Sequence, residues 1–117
     1  MASGKIPKPY DGYEEYELSK DSNATNWTLT RSHFCVMGKT AYLQFVGVVS
    51  GDQGTGSVTV IKLPVAPPYN VEGRYTSSVY GVDFNYNITT GGNFQIQRTP
   101  QISGNSNIRI NVVFPIA

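Results

Sequence analysis

Val79-Tyr80-Gly81-Val82-Asp83-Phe84-Asn85-Tyr86-Asn87-Ile88 alternates apolar and polar residues along most of its length. Tyr80, Val82, Phe84, Tyr86 and Ile88 share one phase, and Gly81, Asp83, Asn85 and Asn87 share the other. Successive side chains of a strand point to opposite sides, so this is the pattern of a strand with one face in a core and one in water. Two later stretches repeat it. Phe94 and Ile96 alternate with Asn93, Gln95 and Gln97, and Ile108, Ile110, Val112 and Phe114 alternate with Arg109 and Asn111.

Read as strands over 79–88, 93–98 and 108–114, the three segments fit one antiparallel meander. A three-residue loop at Thr89-Thr90-Gly91, with Gly91 at positive φ, sets Phe84 opposite Ile96 and Tyr86 opposite Phe94. A return through residues 99–107 sets Ile96 opposite Ile110 and Phe94 opposite Val112. All the apolar residues then fall on one face. A slip by one residue would bury Gln95 and expose Phe94, so the register is firmly specified.

Working outward, residues 27–36 predict one long strand or two joined by a bulge. Trp27 and Leu29 share one phase, while Phe34 and Val36 share the opposite one. One inserted residue near Arg31–His33 would bring all four to the same face. Gly38-Lys39 reads as a two-residue turn. Residues 40–50 follow as a strand whose apolar residues fall on both faces, Leu43 and Phe45 on one, Tyr42, Val46 and Val48 on the other. Such a strand is covered on both sides, by the rest of the domain or by a partner subunit. The stretch 51–56 is a glycine-rich loop without the Gly-Lys-Ser/Thr of a phosphate-binding loop, and 57–63 is the returning strand. Pro64-Val65-Ala66-Pro67-Pro68-Tyr69 is a crossover, because proline lacks the donor that a sheet interior needs. About seven strands and no helix predict an all-β fold: a single small antiparallel β-sandwich or jelly-roll-like barrel, ending in the three-stranded meander.

Length and composition set limits. A chain of 117 residues allows one domain with a modest core. Its net charge of +1 gives no bulk attraction to nucleic acid or anionic membrane. Acidic residues gather in the first 21 positions, at Asp11, Glu14, Glu15, Glu17 and Asp21. With Pro7 and Pro9 beside them, residues 1–22 read as an N-terminal arm or linker, and residues 23–117 as the head domain. The remainder is rich in Gly, Ser, Thr, Asn and Tyr, which suits polar turns and surfaces that meet sugars. No apolar run reaches the roughly 20 residues that span a bilayer, and the first ten residues lack a signal-peptide core.

The residue inventory points away from catalysis. His33 and Cys35 are the single histidine and cysteine, two apart on one strand face, with no Gly-x-Ser-x-Gly elbow in the chain. Asp52, Glu72 and Asp83 are the carboxylates beyond the acidic N-terminal run, and a glycosidase would need two of them across a cleft. No spacing of His, Cys, Asp or Glu suggests a metal site, and no cofactor is expected. The Asn-x-Thr triplets at Asn23, Asn26 and Asn87 read as incidental.

Leu43–Val49, Gly54–Gly56, Ile61-Lys62-Leu63-Pro64 with Pro67-Pro68-Tyr69, and Gly92-Asn93-Phe94-Gln95-Ile96 together form a recurring pattern. With the closing strand 108–114, this pattern resembles the C-terminal receptor-binding head domains of tailed-bacteriophage tail-fibre and baseplate proteins. The loop after Leu63-Pro64 reads Val-Ala-Pro-Pro-Tyr where that family more often has Gly-Tyr-Arg-Pro. The resemblance implies a virion protein at the tail tip, a homotrimer, and attachment to host-surface saccharide without catalysis. It also implies contacts with other tail or baseplate proteins through the N-terminal side. Strand 40–50, apolar on both faces, is then expected near the threefold axis. Two other classes are a structural virion domain without ligand and a small glycan hydrolase.

The expected ligand face is the polar side of the meander. It carries the cross-strand rows Asp83–Gln97–Arg109 and Asn85–Gln95–Asn111, each about 10 Å long, near the length of a disaccharide. Arg109 would meet a carboxylate or phosphate, and Tyr75 would offer a stacking surface at the edge, with Trp27 or His33 doing so from the other sheet. The alternative place is the loop set 51–56 and 71–78, holding Asp52, Arg74 and Tyr75.

Overall fold

The computed structural model describes residues 4–6, 13–22, 24, 27–49, 56–76, 83–98 and 106–116. Among them are ten strands: β1 (Gly4–Ile6), β2 (Tyr13–Glu17), β3 (Trp27–Leu29), β4 (His33–Met37), β5 (Thr40–Val49), β6 (Gly56–Lys62), β7 (Val71–Thr76), β8 (Asp83–Ile88), β9 (Asn93–Arg98) and β10 (Ser106–Pro115). The fold is all-β. A large sheet runs β1-β2-β4-β5-β10, with β3 also paired to β5, and a small sheet runs β6-β9-β8-β7. All pairings are antiparallel.

The inner faces meet in one core. Phe45 of the large sheet packs on Phe94 of the small sheet with ring centroids 5.1 Å apart, and on Trp27 at 5.7 Å. Phe34 lies 6.2 Å from Phe114 and 5.9 Å from Tyr16. Leu43, Ile61, Ile88, Ile96 and Ile108 fill the space between. Fully burying each such side chain is worth about 1.5–3 kcal/mol, so this interface between sheets is the main source of stability. The docked C-terminus follows from the same pattern: Phe114 is 1% exposed, and the Ile116 amide donates to the Lys39 carbonyl at 3.0 Å.

The phase change near Arg31 is a bulge. Leu29 pairs with Gly47, whereas His33 pairs with Gln44, so the β3–β4 side carries one residue more than β5. The hydroxyl of Ser32 stitches the gap, donating to the Val46 carbonyl and accepting from the Val46 amide, each at 3.0 Å. Trp27, Phe34 and Val36 are therefore all buried. A second shift between Thr59 and Ile61 lets Val60 and Ile61 both reach the core. Gly38 opens the β4–β5 turn at φ +63°, which only glycine adopts without strain.

Several expectations are corrected. The last three strands are not a meander. β9 pairs with β8 and β6, and β10 crosses to the large sheet to pair with β5 from Ser106↔Val49 to Pro115↔Thr40. Two ten-residue strands match along their whole length, which the six-residue β9 could not offer. The β8–β9 register is displaced by two residues, with Tyr86 opposite Ile96 and Asn85 opposite Gln97. The loop is Thr90-Gly91-Gly92, closed by the Thr89 amide on the Asn93 carbonyl at 3.0 Å, and Gly92 rather than Gly91 holds the positive φ, +85°. β6 does not return along β5 but joins the small sheet, and the proline segment connects the two edges of that sheet. Described residues before 23 pair with both sheets. β1 and β2 extend the large sheet, and the Asp21 amide donates to the Val60 carbonyl at 2.7 Å, tying this stretch to the small sheet.

Candidate functional site

The outer face of the small sheet carries two polar rows. Ser57, Gln97, Asn85 and Arg74 lie side by side across β6, β9, β8 and β7, and Thr59, Gln95, Asn87 and Glu72 form the next row. Four strands about 4.8 Å apart make each row about 14 Å long. Ser57, Glu72, Asn85, Asn87, Gln95 and Gln97 line an open cleft of about 410 Å³ there. Gly73 and Tyr86 also border it.

Local sequence explains the arrangement. Gln95 sits between Phe94 and Ile96, both fully buried, so burial of its neighbours fixes its direction. The Gln95 amide donates to the Thr59 hydroxyl at 3.2 Å across the β9–β6 pair, which holds one side of the cleft. On the other side, Tyr86 packs on Phe94 with centroids 6.2 Å apart and covers Gly73 on the neighbouring strand. A Cβ at Gly73 would lie 2.9 Å from Cε1 of that ring. The glycine is what lets the tyrosine lie flat against β7.

Of the expected ligand residues, the structure brings Asn85, Gln95 and Gln97 together. Arg109 and Asn111 belong to β10 and lie on the outer face of the opposite sheet. Asp83 pairs with Thr76, not Gln97, and its side chain lies outside the described residues. Tyr75 packs against the core instead of standing at the edge of the polar face. Trp27 is 1% exposed within the core, so it offers no stacking surface. His33 is exposed, but on the large sheet. Of the alternative loop site, Asp52 lies outside the described residues, while Arg74 joins the outer row of β7. Ser57, Thr59, Asn87 and Glu72 complete the face. Their signal was present in the polar phase of 57–59 and 85–87, but became a site only once β6 and β7 flanked β9 and β8.

Cys35 lies on the outer face of the large sheet, half-buried. Burial pushes its thiol up, a hydrogen bond from Tyr13 pulls it down, and the charge of Glu15 pushes it up again, with a net rise. A thiol so held is a poor nucleophile. Among the described residues no three His, Cys, Asp or Glu side chains gather as a metal site, and no helix is long and apolar enough to cross a membrane.

The chain matches no protein-family model, and no curated protein matches it.

Proposed function

We propose that this chain is a receptor-binding head domain of the tail-fibre and baseplate kind, holding a host-surface saccharide on the outer face of its small sheet. The observation that carries the reading is the cleft with Asn85, Asn87, Gln95 and Gln97 on its walls. A primary amide offers two donors and an acceptor, which matches a sugar hydroxyl that both donates and accepts. Six polar side chains over about 14 Å provide for two or three sugar units. Glu72 is the carboxylate among the described lining residues, and glycoside hydrolysis uses a pair across the bond, so the reading is binding without turnover.

The remaining parts of the reading follow the resemblance. The domain would sit at the tail tip of a virion as a homotrimer, with its N-terminal side toward other tail or baseplate proteins. Exposed Met37, Tyr42 and Val113 on the large sheet supply an apolar surface for that assembly.

The test is an array of host cell-wall polysaccharides probed with the chain and with Asn85→Ala/Gln97→Ala. Both positions are exposed, so the double variant should keep its melting temperature while binding weakens at least about tenfold. Equal binding by the two proteins would remove the small-sheet face from consideration. Absence of any binding would favour a structural domain, and release of reducing sugar would favour a hydrolase.

A further inference from the structure

The bulge between β3 and β4 places a second polar cleft on the outer face of the large sheet. Val46 is its floor. On one side, Val46 pairs with Arg109 of β10. On the other side its carbonyl accepts from the Thr30 amide at 2.9 Å and from the Ser32 hydroxyl at 3.0 Å, so the bulge carrying Arg31 is pinned alongside it. The next row on the same face is His33, Gln44 and Asn111. These six residues, Arg31, His33, Gln44, Val46, Arg109 and Asn111, line an open cleft of about 340 Å³. Both arginines are exposed, and Val46 between them is only 9% exposed.

The charge is one-sided. Two guanidinium groups share the cleft, and no carboxylate is among its described lining residues. Like charges on the two sides of β5, one on the bulge and one on β10, about 10 Å apart, repel one another, and an anion between them relieves that repulsion. Guanidinium forks match the paired oxygens of phosphate or carboxylate, and the amides of Gln44 and Asn111 with the His33 ring add further donors beside them.

We propose that this cleft is an oxyanion site, taking the phosphate or carboxylate group of a small ligand such as an anionic sugar, with Arg31 and Arg109 as its two forks. It is separate from the amide cleft. The two lie on opposite outer faces of the sandwich, with both sheets, packed about 10 Å apart, between them. One short saccharide does not reach both, so the oxyanion site stands whether or not the small-sheet face binds sugar.

Nitrogen-15 NMR of the full chain at low ionic strength tests this, with titrations of glucose 1-phosphate, glucuronate and glucose. The arginine Nε–H signals of Arg31 and Arg109 and the amide of Val46 should shift saturably with one or both anionic sugars and not with glucose. The sugar that saturates at lower concentration assigns phosphate or carboxylate as the preferred group. Arg31→Gln and Arg109→Gln should each weaken binding roughly tenfold, while Asn85→Ala/Gln97→Ala keeps the response. No saturable shift with either anion would overturn the proposal. So would equal shifts with sodium chloride at matched ionic strength, or unchanged affinity in an Arg31→Gln/Arg109→Gln chain whose spectrum is folded.

Discussion

Tyr16 and Glu14 show how a single pair is set by its strand. Both lie on the inner phase of β2, and the Tyr16 hydroxyl donates to Glu14 Oε1 at 2.7 Å. That hydrogen bond, with desolvation and the carboxylate charge, pushes the phenol up to about 12. The folded chain thus holds the proton more tightly than the unfolded chain, whose tyrosine titrates near 10. The stability from this pair is complete below about pH 10 and is lost as pH rises through about 12. In an ultraviolet titration one phenol should ionise near pH 12, and Glu14→Gln should move that step back toward the ordinary value. A parent chain whose tyrosines all ionise near pH 10 would show that the hydrogen bond does not persist in solution.

At the scale of the element, the β8–β9 hairpin turns on which glycine of the Gly91-Gly92 pair bears the left-handed conformation. Gly92 has φ +85°, and a Cβ there would meet the Leu63 carbonyl at 3.1 Å. A Cβ at Gly91 would meet nothing closer than 3.7 Å. Gly92→Ala should cost about 1–2 kcal/mol in urea denaturation, and Gly91→Ala should change stability by less than about 0.5 kcal/mol. The reverse order would restore a loop displaced by one position, and with it a two-residue shift of the strand pairing. The faces survive such a shift, because two is the side-chain period of a strand. This is why Asn85, Gln95 and Gln97 stay together on the polar face under either register, while their individual partners change.

For the whole molecule, the exposed apolar residues bear on assembly. Cys35, Tyr42 and Val113 are neighbours across β4, β5 and β10, and Tyr42 and Val113 are 40% and 60% exposed. They occupy the Tyr42 end of the face, next to the arginine cleft at its Val46 end. If the proposed homotrimer uses this patch, light scattering of the parent should give three times the 12.8 kDa chain mass, and Val113→Arg should reduce it to one. A parent that is monomeric at micromolar concentration would sink the assembly. Val113→Arg faces solvent in the single chain, so its melting temperature as a monomer should match that of the parent domain.

Local pattern alone determined the all-β class, the inward phase of Phe94, Ile96, Ile108, Ile110 and Val112, and the bulge at Arg31. These depend on neighbours one or two positions away, and alternation with a period of two is visible in any strand. It also determined that Phe114 is buried and that Asn85, Gln95 and Gln97 share a wet face. Only the tertiary structure decided which strands lie side by side. β9 and β10 have compatible alternation, and so do β5 and β10; the choice falls to β5 because ten residues pair along their full length there. That choice moved Arg109 and Asn111 from one side of the sandwich to the other, and turned one expected ligand face into two separate clefts. Side-chain phase is written locally, but strand partnership is a long-range packing decision, and a site built across strands inherits it.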